Sequence, residues 1–181
     1  MNKKKIIEVK RKKLCKWVSL SEKLVKNNKK INKYYSFKQH DYVSILAKNK
    51  VGKYIFVKQF RPAIESYTIE LPGGLKDNPK ESHKEAAIRE LYEETGYITK
   101  NMKFLGKFCP DTGRLENNLY CYFAEDLVYD KKHIQEKNVK KVELNYCQFI
   151  KLLKNKKMKH FLHIGIIGLA VMNNIIKVKL K

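Results

Sequence analysis

A chain of 181 residues with 43% hydrophobic content can build one real core and is too short for two comfortable domains. Its 40 basic and 18 acidic residues give a formal charge of +22, a field that attracts phosphates, nucleic acid or anionic membranes without choosing among them; a lysine- and asparagine-rich genome would produce the same bias. Cys15, Cys109, Cys121 and Cys147 lack the short spacing of a zinc or redox motif, and no apolar core of signal-peptide length stands near the start, so reduced thiols in a cytoplasmic protein are expected rather than secretion.

Residues 1–40 are highly charged, with strand-like islands at Trp17-Val18-Ser19-Leu20 and Tyr34-Tyr35-Ser36-Phe37 around the polar turn Asn27 to Lys30, which predicts a hairpin or an N-terminal strand subdomain. Lys10-Arg11-Lys12-Lys13 reads as a solvated charge run, with a nuclear import patch as the alternative. A second segment, 41–181, begins with two buried strands, Val43 to Ala47 and Tyr54 to Val57, about the turn Lys48 to Gly52. Thr68 to Leu71 and the breaker Pro72-Gly73-Gly74 follow. A helix then runs from about Lys84 to Thr95: Ser82 and Glu85 form a capping box, and Gly96 supplies the left-handed residue that closes it. Met102 to Gly106, Leu119 to Ala124 and Val139 to Leu144 predict further strands, and Tyr146 to Lys154 and His160 to Asn173 two helices. Phe161 to Ile176 is apolar but carries His163, Asn173 and Asn174 and falls short of the ~20 residues of a membrane span, so a buried helix is expected. Strands mixed with few helices predict an α/β sandwich.

Chemistry concentrates in Arg89-Glu90-Leu91-Tyr92-Glu93-Glu94-Thr95-Gly96-Tyr97. At ~100° per residue, Glu90, Glu93 and Glu94 share one arc of a helix while Ile88, Leu91 and Thr95 face elsewhere. Like charges at these spacings oppose the helix by a few tenths of a kcal/mol per pair, and glutamate near a C-terminus opposes its dipole. A divalent cation removes both objections, and oxygen-only ligands suit Mg²⁺ or Mn²⁺. A plain solvated face is the alternative for three glutamates taken alone. Gly73-Gly74 would let a backbone carbonyl approach the ion, and Glu81 would return to it from the loop. Against so much lysine, the four arginines Arg11, Arg61, Arg89 and Arg114 mark candidate sites for bidentate recognition of carboxylate or phosphate.

Gly74, Glu81, Arg89-Glu90, Glu93-Glu94, Gly96 and Tyr97 together resemble the Nudix box, spanning about 73–97, with the interval from Gly74 to Glu81 one residue longer than the family pattern. The resemblance implies a Nudix α/β/α sandwich with a mixed sheet. Glu90 and Glu94 would be the principal metal ligands, Glu93 a supporting one and the Gly73 carbonyl a further one. Arg89 would be structural, paired with a box carboxylate. Divalent cations would neutralise a pyrophosphate and lower the pKa of the attacking water.

Val57-Lys58-Gln59-Phe60-Arg61-Pro62 and Glu70-Leu71-Pro72-Gly73-Gly74, with the N-terminal Trp17 and Tyr34 segments, are similar to the ADP-sugar pyrophosphatase branch of that family. That likeness implies Mg²⁺-dependent hydrolysis of ADP-ribose or a related ADP-sugar to AMP and a sugar phosphate. Trp17 and Tyr34 would sandwich the adenine, Arg61 hold a phosphate, and Glu70 bind polar groups of adenine or ribose. In the turn Pro110 to Asn117, Arg114 would meet a phosphate and Glu116 a ribose or a water. The branch exchanges N-terminal strands, so residues 1–40 would serve a homodimer. Its general base lies before the last strand. Glu136 is the nearest candidate here, although counting back from Val139 also reaches Lys137, and Glu93 or Glu116 would otherwise have to act. From another functional class, a catalytically weak Nudix-fold module binding nucleotide or RNA is the alternative, as is a hydrolase of another nucleoside diphosphate derivative.

Overall fold

The first strand carries no apolar periodicity. In the computed structural model, which describes residues 4–177, β1 (Lys5–Lys13), β2 (Ser19–Asn27) and β3 (Lys30–Lys38) form an antiparallel sheet in that order. The β2–β3 hairpin sits where the polar turn predicts it, with Asn28 at φ 54°, a left-handed conformation asparagine tolerates. Sequence reading missed β1, because all of its residues are exposed and most are charged. Backbone pairing to β2, from Lys5 opposite Lys26 to Lys13 opposite Ser19, is what makes it a strand.

Among the described residues, 4–41 together with 108–119 form one compact unit, and 42–107 together with 120–177 another. In the first unit the turn after Pro110 is bound to the end of β3: Phe37 N–H donates to the Arg114 carbonyl at 2.7 Å, and Glu116 N–H donates to the Phe37 carbonyl at 3.0 Å.

Apart from Phe108 and Leu119, the end residues of β8 and β9, the second unit contains β4 (Tyr42–Asn49), β5 (Tyr54–Arg61), β6 (Ser66–Glu70), α1 (His83–Thr95), β7 (Tyr97–Ile98), β8 (Asn101–Phe108), β9 (Leu119–Tyr129), β10 (Val139–Leu144), α2 (Tyr146–Lys154) and α3 (Phe161–Met172). The strands make a seven-stranded sheet in the order β10-β5-β4-β9-β7, with β6 paired to β5 and β8 to β9. Pleating assigns its faces. Val43, Ile45, Ala47 and Ile55 pack with Ala86, Ala87 and Leu91 of α1. Tyr54 and Phe56 point the other way, and their rings lie 4.4 and 5.9 Å from that of Phe149 on α2. The α/β sandwich expected from the sequence is the one observed, with helices on both faces. Leu91 is fully buried, so its truncation to alanine would cost about 2–5 kcal/mol.

Both ends of α1 are closed as its sequence requires. Ser82 Oγ accepts from Glu85 N–H, the Glu85 carboxylate accepts from Ser82 N–H, and Gly96 at φ 72° donates to the Tyr92 carbonyl at 2.8 Å. α3 buries His163, Ile166, Ile167 and Ala170. Among the described residues no helix is long and apolar enough to cross a membrane.

Candidate active site

The breaker after β6 runs against β4. Val43 N–H donates to the Gly74 carbonyl and Ile45 N–H to the Pro72 carbonyl, each at 2.9 Å, while Gly73 N–H turns the other way and donates to Glu94 Oε2 at 2.8 Å. Side chains are excluded at both glycines. A Cβ on Gly73, at φ 156°, would stand 2.2 Å from the Val43 carbonyl oxygen, and one on Gly74 would stand 2.4–2.6 Å from the Glu90 carboxylate. The segment is therefore pressed against two glutamates of α1 by its own backbone.

The three helix carboxylates do not share one environment. Glu93 lies about 60° to one side of Glu90 and Glu94 about 40° to the other at helical pitch. That divergence turns Glu94 inward, 5% exposed, and leaves Glu93 on the solvent side. Burial pushes the carboxyls of Glu90 and Glu94 up, to about 7 and about 8, and negative charge adds to the rise, from Glu93 and Glu136 at Glu90 and from Glu90 and Glu136 at Glu94. Arg89 opposes the rise at Glu90, and Gly73 N–H opposes it at Glu94. Two crowded, inward-facing carboxylates beside a tightly approached peptide fit a hard divalent cation. Among the described residues, no three His, Cys, Asp or Glu side chains close into a cage of their own. An ion held by Glu90 and Glu94 would take its other ligands from backbone oxygen, water and phosphate.

Arg89 holds the rest of the box together. Its Nε and Nη2 donate to Glu81 at 3.1 and 3.0 Å, its Nη1 to Glu90 and Glu93 at 2.8 and 2.9 Å, and Nη2 also to the Leu75 carbonyl at 3.1 Å. Glu81 reaches the site by this route despite its longer loop. The fan of contacts needs a planar five-donor fork, so arginine stands here in a lysine-rich chain.

Glu136 is brought to the same corner, close enough for its charge to raise both Glu90 and Glu94. Its loop is bound to the end of α1: Gln135 donates to the Glu94 carbonyl, His133 Nε2 lies 3.0 Å from the Glu93 carbonyl, and Asp130 N–H donates to the Gly96 carbonyl at 2.9 Å.

Arg61 and Glu70 meet each other on adjacent strands. Arg61 Nε and Nη2 grip the two Glu70 oxygens at 2.9 and 2.6 Å, and Thr68 Oγ1 donates to Glu70 as well. Burial alone would raise Glu70, but these hydrogen bonds hold its carboxyl down at about 2. Its lone pairs are largely engaged inside the protein. Arg61, its side chain 44% exposed, keeps its remaining donors and lies near enough to influence Glu94.

In the first unit Trp17 and Tyr34 expose their rings, 42% and 49%. Trp17 meets His40 edge-on at 6.5 Å, with Lys16 Nζ 4.3 Å from its ring centre. Arg114 is largely exposed and pairs with Asp111 at 3.3 Å. Glu116 accepts from Ser36 Oγ at 2.7 Å and pairs with Lys23 Nζ at 3.0 Å. Burial works to raise its carboxyl, and these partners hold it at about 2, which makes Glu116 a poor proton acceptor.

Sequence reading missed His163. Its Nδ1 accepts from Leu71 N–H at 3.0 Å across 92 positions, anchoring the segment that carries Gly73. A histidine interrupting the apolar run of α3 was the available signal.

Residues 38–164 match the NUDIX domain family. The chain is 31% identical over 134 residues to an ADP-ribose pyrophosphatase of Bacillus subtilis (strain 168), covering 72% of each chain. It is 37% identical over 118 residues to an ADP-ribose pyrophosphatase of Saccharomyces cerevisiae, covering 58% of this chain and 51% of that one. A crystal structure of an ADP compounds hydrolase superposes with a TM-score of 0.78 over 94% of this chain and 93% of that chain at 20% identity, a likeness of fold.

Proposed function

Because the chain belongs to the Nudix family and is a hydrolase, we propose that it cleaves the diphosphate of ADP-ribose or a related ADP-sugar to AMP and a sugar phosphate, using Mg²⁺ or Mn²⁺. The observation that carries this reading is the pair of inward-facing carboxylates, Glu90 and Glu94, set against the Gly73-Gly74 backbone with Glu136 beside them. Similarity to the two ADP-ribose pyrophosphatases supports the substrate class.

Glu90, Glu94 and the Gly73 carbonyl would hold the metal, with Glu93 in support. The ion would neutralise the diphosphate and acidify a water. Glu136 would accept the proton of the attacking water as its oxygen bonds to phosphorus and the bridging P–O bond breaks, the electron pair leaving with the departing phosphate. Arg61 places a fixed positive charge near Glu94, where a phosphate is expected. Glu70 fixes Arg61 and leaves little capacity of its own for adenine or ribose. Trp17 and Tyr34 provide exposed rings for stacking an adenine.

Homodimerisation through the N-terminal sheet belongs to the same proposal, supported by the exposed apolar residues Ile6, Ile7, Val9 and Ile31. Cytoplasmic location belongs to it too, resting on four free cysteines.

Incubation with ADP-ribose and Mg²⁺ tests the reaction. AMP and ribose 5-phosphate are expected, with loss of turnover in EDTA and on Glu94→Gln. Absence of AMP at high enzyme concentration would remove the proposal.

A further inference from the structure

Among the described residues of the second unit, two buried polar atoms lack partners, and their residues line the same space. Ser44 on β4 is 2% exposed and its Oγ makes no hydrogen bond; Nδ1 of His160, just before α3, is likewise shielded and unbonded. A buried polar atom left in that state costs about 1–3 kcal/mol. Native structures keep few such atoms, and a ligand or water commonly completes them. The two residues line a cavity of about 200 Å³, which also touches Arg61, Glu70, Gly73 and Gly74.

Most other polar groups in that lining are engaged. Glu70 is held by Arg61 and Thr68, and His163 Nδ1 by Leu71 N–H. Beside the remaining donors of Arg61, the unengaged side-chain groups of the lining are a hydroxyl and an imidazole nitrogen, and burial lowers the pKa of His160, favouring its neutral ring. These two groups match hydroxyls, which both donate and accept, while the Arg61 cation in the same lining suits the phosphate joined to them. The cavity is several times the ~30 Å³ share of a water molecule and smaller than the roughly 300–1,000 Å³ of pockets that take a drug-sized ligand. Its size suits one sugar ring. Gly73 and Gly74 in its wall join it to the proposed metal and phosphate site.

We propose that this cavity is a sugar subsite: the sugar of the departing sugar phosphate enters it, and its hydroxyls complete Ser44 Oγ and His160 Nδ1, which thereby set the preference among sugars. This assignment rests on the ADP-sugar reading above and goes beyond it by naming the residues that read the sugar.

Calorimetric titration of the full chain in Mg²⁺ with ribose 5-phosphate, and separately with inorganic phosphate, tests it on the wild type, Ser44→Ala and His160→Phe. Each variant is expected to bind ribose 5-phosphate about tenfold more weakly, the loss of one hydrogen bond, and inorganic phosphate within about twofold of wild type. Ser44→Ala is expected to keep or raise Tm, since it deletes an unbonded buried hydroxyl. In parallel, KM for ADP-ribose should rise in both variants while KM for diadenosine diphosphate, which lacks the free sugar, stays constant. Wild type that fails to bind ribose 5-phosphate, or variants that bind it as tightly as wild type, would overturn the subsite even if ADP-ribose is cleaved. Ser44-dependent binding of ribose 5-phosphate by a protein that does not cleave ADP-ribose would uphold the subsite and remove the substrate reading instead.

Discussion

The side-chain amide of Gln135 donates to the backbone carbonyl of Glu94 at 2.5 Å, tying the loop before β10 to the last turn of the helix that carries the box. The final carbonyls of a helix have no partner within it. Here the loop satisfies two of them, with His133 at Glu93 and Gln135 at Glu94, and in doing so it fixes the next residue, Glu136.

The proposed mechanism therefore assigns the proton to Glu136, whose charge reaches Glu90 and Glu94, rather than to Lys137. Glu136→Gln is expected to lower kcat for ADP-ribose by about 10²–10⁴-fold, and Lys137→Gln to leave it within about twofold. Steady-state kinetics with matched circular dichroism spectra check both. Equal effects of the two substitutions would count against the assignment.

Arg89→Lys should be far from conservative. A lysine ammonium cannot bridge Glu81, Glu90, Glu93 and the Leu75 carbonyl at once, so a loss of about 2–3 kcal/mol in urea unfolding is expected. A shift below about 0.5 kcal/mol would show that the fan adds little.

Acid stability should depend on Glu70. Its folded carboxyl, held at about 2 by Arg61 and Thr68 against the opposing effect of burial, lies below its unfolded value near 4.5. Its contribution is therefore present above about pH 4.5 and lost as pH falls through about 2, an advantage on the order of 3 kcal/mol. His163, kept neutral by burial with its pKa at about 3, lowers stability in the same direction over a higher range, from about 6.5 downward. The stability difference between wild type and Glu70→Gln isolates the first effect. It should shrink between pH 5 and 2, and a constant difference across that range would contradict the linkage.

Trp17→Ala should separate binding from stability. The ring is 42% exposed, so unfolding should move by less than about 0.5 kcal/mol. If it stacks on the base, KM for ADP-ribose should rise by the equivalent of about 1–3 kcal/mol with kcat little changed. An unchanged KM would take Trp17 out of the adenine site.

Much of this was legible in the chain itself, for a physical reason: caps and strand periodicity are set by neighbours a few positions apart. Ser82 with Glu85, Gly96, the apolar runs of β4 and β5, and the carboxylate spacing of α1 were all read from such local chemistry, and the structure contains them. Tertiary packing decided the rest. β1 is a strand only because β2 pairs with it, Glu94 is buried while Glu93 faces Arg89 because the Gly73 backbone approaches one side of the helix, and Glu70 is engaged by Arg61 because β5 and β6 pair in that register. His163 reaches Leu71 across 92 positions. No local rule predicts a contact of that length, because the folded surroundings that remove water from both groups exist only once the helix has docked.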